Sequence, residues 1–233
     1  IRNDSIASYS TYHQTVIAVF MALFGVNFNI YYLVLCGKIK DALKSEELRA
    51  YFAIMASAIL IISFDIRSLC EGVFDSVHTA AFQVSSVMTT TGYTTVDFDK
   101  WPQLSRMIML IVMCIGSCAG STAGGIKVSR ILLIFKNVRR ELKRMLHPRN
   151  ISVIKFEGRR ISDEVVQGTN VFICLYVVIL ALSVLIVSFD NYDFESNFTG
   201  VIATLNNIGP GLGMVGPTGN FSDYSWYSKC VFI

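Results

Sequence analysis

The hydrophobic residues of this chain collect in long runs separated by polar connections. Residues 16–36 and 171–189 each form a nearly uninterrupted apolar run, close to the length of about 20 residues that a membrane-spanning helix needs. Residues 50–64 and 104–118 form shorter runs, which predict spans that recruit flanking residues or cross where protein surrounds them. A further apolar run begins at Trp226. The pattern predicts an all-α membrane protein.

The basic residues indicate which helix ends face the cytoplasm. Four of them lie in residues 37–49 and eleven in residues 127–160, whereas the charges in the opposite connections are mostly acidic. Because cytoplasmic loops are rich in lysine and arginine, both basic stretches are predicted to lie inside. The longer stretch is interpreted as a cytoplasmic loop, with a docking surface for a soluble partner as the alternative. Within it, residues 132–146 predict a helix that stops at His147 and Pro148.

Composition supports a membrane protein and excludes several other classes. Hydrophobic residues make up 53% of the chain and charged residues 16%, with a mean hydropathy of +0.52. The net charge of +3 is too small to indicate a nucleic-acid partner. The six cysteines are scattered without a metal-ligand pattern, and no acid pair, histidine cluster or activated nucleophile suggests an enzyme. Ile1 at the start and an apolar run that has only begun at the end favour a piece of a longer protein.

The outer connections contain a repeat. In each of them Ser-Phe-Asp is followed by a medium apolar stretch and then by a polar loop with glycine. The first copy comprises residues 63–65, 80–88 and 89–95 (Thr-Thr-Thr-Gly-Tyr-Thr-Thr), and the second comprises residues 188–190, 198–205 and 206–211 (Asn-Asn-Ile-Gly-Pro-Gly). The pattern is a span, a half-length helix, a polar loop and a second span.

The medium stretches are too short to cross a bilayer, so at membrane depth they must enter and return from one side as re-entrant helices. Non-helical backbone at that depth persists only where it is buried in protein or lines water. A loop of threonine, asparagine and glycine satisfies this condition, because its carbonyls can replace the hydration shell of an ion. Ordinary extracellular turns use the same residue types and are the alternative.

Three stretches identify a resemblance to a known family. They are Thr90-Thr91-Gly92-Tyr93, the glycine-rich run Gly-Ser-Cys-Ala-Gly-Ser-Thr-Ala-Gly-Gly-Ile-Lys at 116–127, and Asn207-Ile208-Gly209-Pro210-Gly211. In this order they closely resemble the Trk/Ktr/HKT potassium transporters. The resemblance implies repeated units of helix, re-entrant pore loop and helix around a pseudo-fourfold, potassium-channel-like pore. Residues 1–49 would hold the last helix of unit two, 50–160 unit three and 161–233 a truncated unit four.

The resemblance also implies site residues. The filter of unit three would be Thr90, Thr91, Gly92 and Tyr93, and that of unit four Asn207, Ile208, Gly209 and Pro210, with K+ held at Thr91, Gly92, Ile208 and Gly209. The glycine-rich run should break its helix, because glycine is a poor helix former. In the family the matching segment is an intramembrane gate, here Gly116, Ser117, Gly120, Ser121, Thr122, Gly124 and Gly125. A kink or a packing seam of small residues is the alternative.

The expected function is therefore potassium uptake across the plasma membrane, the inner membrane in bacteria, through a selective and gated multi-pass pore. Potassium is the transported ion, and no cofactor is expected. The resemblance implies contact with membrane lipid, a homodimer and a cytoplasmic nucleotide-binding regulatory subunit. The alternative is a secondary transporter with broken helices for another ion or small solute, which also predicts interrupted spans.

Overall fold

The computed structural model describes residues 5–147 and 153–233, so Pro148 and Arg149 lie outside the described part. Over the described residues the fold is helical except for one short antiparallel hairpin. The elements are α1 Thr11–Phe24, α2 Phe28–Leu35, α3 Ile39–Lys44, α4 Glu46–Asp65, α5 Val73–Met88, α6 Gln103–Ile115, α7 Val128–Leu146, β1 Lys155–Phe156, β2 Arg159–Arg160, α8 Asp163–Val187, α9 Phe194–Leu205 and α10 Trp226–Phe232. The all-α prediction is confirmed, and the hairpin is an element that the sequence did not predict.

Among the described residues, two single helices are long and apolar enough to cross a membrane. They are α4, with 20 residues, and α8, which continues in a 3-10 turn to Asp190. Both match runs predicted as spans. Only 6% of the most apolar window of α8 is buried within the chain, against 39% for α4, so α8 presents its surface to lipid or to parts of the protein beyond this chain.

The first apolar run is not one continuous helix: the span predicted over residues 16–36 is a bent pair, which is long and apolar enough to cross a membrane only when its two helices are counted together. Helices α1 and α2 meet at an angle of 92°. Asn27 starts α2 as its N-cap, because its side chain accepts a hydrogen bond of 3.0 Å from the Asn29 N–H. Gly25 packs so closely against α4 that a Cβ there would overlap the Tyr51 hydroxyl. The bend is therefore fixed by a local cap and by a tertiary contact.

The apolar run at residues 104–118 also ends early. Helix α6 has 13 residues, too few to cross a bilayer, and stops where Gly116 takes a positive φ of 70°. Residues 116–127 form the non-helical break that their glycine content predicts, and α7 starts at Val128. The helix predicted at 132–146 is confirmed with a start four residues earlier.

The half-length helices α5 and α9 lie where the repeat predicts them. They have 16 and 12 residues, and both begin before the apolar stretches that predicted them. Helix α5 packs mainly against α1, α4 and α6, and residues from these helices, including Tyr51, Met88 and Met109, form the main hydrophobic core. The proposed unit boundaries at residues 49 and 160 remain a prediction.

The two Ser-Phe-Asp copies have the same structural role. The Asp65 carboxylate accepts hydrogen bonds from the backbone N–H and the hydroxyl of Ser105, at 3.2 and 2.6 Å. The Asp190 carboxylate accepts the same pair from Ser225, at 3.1 and 3.0 Å. Each aspartate thus joins the end of the long helix before a half-length helix to the start of the helix after the polar loop, α4 to α6 and α8 to α10. The repeat predicted from the sequence is present in the tertiary contacts.

Candidate functional site

The two polar loops leave their half-length helices with the same backbone geometry. In each, the second residue after the helix has a positive φ, 53° at Thr90 and 55° at Asn207, and so does the glycine two positions later, 77° at Gly92 and 115° at Gly209. The backbone hydrogen bonds that close both helices also match, residue for residue, at an offset of 117. Glycine accepts these angles without steric cost. The two loops are therefore copies of one structure.

The two loops contact each other through their glycine segments. A Cβ added to Gly92 would overlap the carbonyl oxygen of Ile208, whereas a Cβ added to Gly209 would lie 4.0 Å from the Gly92 Cα, an ordinary van der Waals distance. A cavity of about 770 Å3 lies against both loops, and its walls include Thr91, Gly92, Tyr93, Ile208, Gly209 and Pro210. All six are predicted filter residues. Thr90 and Asn207, the other two, lie at the helix ends just before them.

Side chains of α5 donate hydrogen bonds to the first polar loop, at residues 93–96. The Ser86 hydroxyl donates to the Tyr93 carbonyl at 2.6 Å. The fully buried Gln83 amide donates to the Val96 carbonyl at 3.2 Å and to the Thr95 hydroxyl at 3.3 Å. Sequence reasoning missed Ser86 and Gln83. Polar residues in the middle of an otherwise apolar half-length helix are the signal that would have found them.

The loop of unit four is held differently. Its outer part receives support from α9, because the hydroxyls of Thr199 and Ser196 accept hydrogen bonds of 2.9 Å from the backbone N–H groups of Leu212 and Met214. Between these two, the Gly213 N–H donates at 2.9 Å to Asp99, a residue of the outer connection of unit three. Asp99 in turn lies 3.3 Å from the Arg106 guanidinium, which also pairs with Glu195 on α9.

The start of α9 is fixed by Asp193. Its carboxylate accepts a hydrogen bond of 2.9 Å from the Ser196 N–H as the N-cap of the helix. Partial burial opposes ionisation of this carboxyl group, but the hydrogen bonds from Ser196 outweigh it, so the pKa of Asp193 is lowered. The cap fixes the first turn of the helix whose other end carries the unit-four loop.

The glycine-rich loop 116–127 packs against the bases of both polar loops. The Gly124 N–H donates to the Thr90 hydroxyl at 2.8 Å, and a Cβ on Gly124 would overlap the Asn206 carbonyl oxygen. The Ser117 hydroxyl donates to the Met88 carbonyl at 2.8 Å, at the end of α5. The structure thus brings together the three separate segments that the sequence singled out.

The remaining predicted gate residues lie within or around this loop. Gly116 closes the base of the loop. A Cβ added to Gly116 would lie 2.6 Å from the Gly124 carbonyl oxygen and 3.2 Å from the Gly125 Cα. Gly120 faces Asn27 at the helix break. Ser121 donates within the loop to the Cys118 carbonyl at 2.6 Å. Thr122 is exposed.

Comparison with known proteins gives the family. The family model TrkH, described as a cation transport protein, matches residues 1–233. The chain belongs to the TrkH family. The Trk system potassium uptake protein TrkH of Salmonella typhimurium is 34% identical to it over 223 residues, which are 94% of this chain and 46% of that protein. The Trk system potassium uptake protein TrkG of Escherichia coli is 30% identical over 234 residues, covering 98% of this chain and 47% of that protein.

A solved structure agrees with this assignment. The crystal structure of the potassium transporter TrkH from Vibrio parahaemolyticus matches with a TM-score of 0.88 and 33% sequence identity, over 98% of this chain and 50% of that one. The family resemblance and the fold class predicted from the sequence are confirmed. The chain spans about half the length of the TrkH relatives that it matches. Their names are those of membrane transporters, and the apolar helices α4 and α8 fit that class.

Proposed function

We propose that the complete protein takes up potassium through a gated pore, and that residues 90–93 and 207–210 are two quarters of its selectivity filter. The observation behind this proposal is the contact between two copies of one loop, each at the end of a half-length helix, beside a shared cavity. Such loops offer backbone carbonyls that can replace the water around an ion. K+ would be held by the carbonyls of Thr91, Gly92, Ile208 and Gly209.

The names of the relatives favour potassium over the alternative of a secondary transporter for another solute, because TrkH and TrkG are both named potassium uptake proteins. The direction of the repeat favours the same choice. The distribution of basic and acidic residues places both polar loops on the same, outer side, as a repeat of the same orientation does, whereas many broken-helix carriers use inverted repeats.

We assign the gate to the loop 116–127. It contacts the base of both filter quarters, through Thr90 and Asn206, and follows a helix that stops short of crossing the membrane. A glycine-rich loop has the backbone freedom that a moving obstruction needs. In the arrangement seen here it lies next to the start of both filter loops, where it would obstruct an ion leaving them.

The proposed partners are membrane lipid, a second copy of the protein and a cytoplasmic nucleotide-binding regulatory subunit, in the inner membrane of a bacterium. Helix α7 supports a protein contact on the basic side. Phe135, Leu142 and Met145 are exposed on it, beside Arg139 and Arg144. An exposed apolar stripe beside basic residues suits a protein partner or the membrane surface.

The test uses the full-length protein in bacteria that lack their own potassium uptake systems. Gly92→Ser is expected to abolish growth at low potassium and to reduce the preference for rubidium over sodium in flux measurements, because any side chain there collides with the Ile208 carbonyl. Gly72→Ser is the matched control, since a Cβ at Gly72 meets nothing within 4 Å and its backbone is extended. Unchanged uptake and selectivity in Gly92→Ser, at equal membrane levels, would show that the filter is elsewhere.

A further inference from the structure

Two adjacent acids at the start of α4 have very different surroundings. Glu46 pairs with Lys136 and keeps 34% of its side-chain surface exposed. Glu47 is only 5% exposed. A buried carboxylate is unfavourable unless hydrogen-bond donors compensate for the lost water, so its partners show what it stabilises.

Both partners of the Glu47 carboxylate belong to other segments of the chain. Oε1 accepts a hydrogen bond of 2.6 Å from the backbone N–H of Ala119, inside the glycine-rich loop. Oε2 accepts one of 3.2 Å from the Asn27 side chain, at the break between α1 and α2. A single side chain therefore joins the first turn of α4, the loop and the bent helix pair.

Backbone contacts strengthen the same junction. The Cys118 N–H donates to the Gly25 carbonyl at 3.1 Å, and the Phe28 N–H donates to the Gly120 carbonyl at 3.2 Å. Residues 118–120 are thus held against the helix break, while Gly124 on the other side of the loop contacts the filter loops. The loop has one anchored half and one half that faces the proposed ion path.

We propose that Glu47 is the latch that holds the loop 116–127 in its position against the filter loops. The bond from Ala119 is short and charge-assisted, and such bonds are about twice as strong as neutral ones. Release of Glu47 would free the anchored half of the loop. This proposal goes beyond the proposed function but uses its assignment of the loop as the gate.

The latch is connected to the basic end of the molecule. Glu157, in the turn of the β1–β2 hairpin, accepts hydrogen bonds of 2.9 Å from the Ser45 hydroxyl and from the backbone N–H of Glu47 itself. The hairpin therefore holds the main chain of the same residue whose side chain holds the loop. A partner that moved the hairpin would act on the latch through this contact.

Cys118 provides a direct probe of the latch. It lies next to Ala119 in the loop and is only 1% exposed. In full-length protein with Cys118 as its single cysteine, the rate of modification by N-ethylmaleimide measures how often the loop opens. Because the Glu47 charge also acts directly on the Cys118 thiol, the rates of the variants are compared per thiolate, from rate–pH profiles. Glu47→Gln keeps the shape of the side chain but removes its charge. We expect about a tenfold faster reaction, which corresponds to about 1.4 kcal/mol, and a larger increase in Glu47→Ala.

Two controls distinguish release of the loop 116–127 from a general loss of stability of the protein. Glu46→Gln changes the neighbouring acid, which does not contact the loop, and should leave the Cys118 rate unchanged. A second reporter protein with Cys70 alone, beyond the far end of α4, should react equally fast with and without Glu47→Gln. An unchanged Cys118 rate in Glu47→Gln, or an equal rise at Cys70, would overturn the proposal.

Rubidium flux through liposomes that contain the same full-length variants tests the gate separately. If release of the loop opens the pore, Glu47→Gln should raise the basal flux in the absence of any regulator. A faster Cys118 reaction without a change in flux would support the latch and contradict the assignment of the loop as the gate. The latch and the proposed function can therefore fail independently.

Discussion

The polar loops of units three and four share one backbone but are held in place by different means. Their helix ends, positive φ angles and closing hydrogen bonds match. The first loop accepts hydrogen bonds from Gln83 and Ser86 of its own half-length helix. The outer part of the second loop is held by Thr199 and Ser196 of α9 and also by Asp99 from the other unit.

Under the proposed function, the shared turn is the part of the repeat that the ion path requires, because it directs the backbone that would bind the ion. The surrounding anchors vary, since any buried donor or acceptor with correct geometry satisfies the same backbone groups. The second polar loop donates one of its hydrogen bonds to Asp99, which follows the first polar loop in the chain, so the two loops are coupled through this residue.

The largest expected effect is a difference in rubidium uptake between variants of Gly92 and Gly209. Gly92→Ala meets both a positive φ and a collision with the Ile208 carbonyl, whereas Gly209→Ala meets only an unfavourable φ. Such backbone strain costs about 1–3 kcal/mol for a residue with a side chain. We expect Gly92→Ala to abolish rubidium uptake by the full-length protein and Gly209→Ala to leave a measurable fraction. Equal losses would mean that the contact between the loops does not matter.

The next effect concerns the anchor of the unit-three loop. Ser86→Ala removes the donor to the Tyr93 carbonyl, and loss of a partner for a buried polar group costs about 1–3 kcal/mol. We expect the rubidium-to-sodium flux ratio to fall severalfold while the protein still folds. Ser85→Ala is the matched control, because Ser85 is buried in the same helix and its hydroxyl donates to the Met55 sulfur, at 4.0 Å, instead of to the polar loop. The anchor is irrelevant if both variants keep the wild-type ratio.

The turn chemistry of the two loops could be predicted from the sequence, and the tertiary anchors could not. Glycine and asparagine after a short apolar stretch indicate left-handed backbone by local sterics, and the φ angles at Gly92, Asn207 and Gly209 agree. The positive φ at Thr90 goes against the preference of a β-branched residue and depends on its surroundings. The contact between the loops follows from the arrangement of the two units, which only the family resemblance implied. The assignment of these residues as the filter remains a prediction.

The break at Gly25 and the role of Glu47 depend on contacts that a single sequence does not contain. An isolated glycine costs a helix only about 1 kcal/mol, so an apolar run with one glycine and two asparagines still resembles a continuous span. The Tyr51 side chain and the loop 116–127 decide the outcome. Likewise Glu46 and Glu47 are identical by sequence, and only the fold buries one of them.

A smaller effect is expected where the two units are coupled. Asp99→Asn weakens the bond from the Gly213 N–H and leaves Arg106 with Glu195 as its charged partner. Asp99 and Arg106 are partly exposed, so we expect a loss of about 1 kcal/mol, measured as a lower melting temperature of the full-length protein in detergent. Lys100→Gln, at an 80% exposed position, serves as the control. A melting temperature equal to that of the control would mean that α9 alone holds the unit-four loop.

The smallest effects are expected at Ser105 and Ser225, the two serines that bind Asp65 and Asp190. Ser105→Ala and Ser225→Ala each remove one hydroxyl bond to Asp65 or Asp190 and keep the backbone bond, so each should cost about 0.5–1.5 kcal/mol. Ser105 is fully buried and Ser225 is half-buried, which makes the first loss the larger one, because water replaces the missing partner less easily. Thermal unfolding of both variants, beside the exposed Ser57→Ala, measures the order. A larger loss at Ser225 would mean that the hydrogen bond between Ser225 and Asp190 contributes more to stability than its burial indicates.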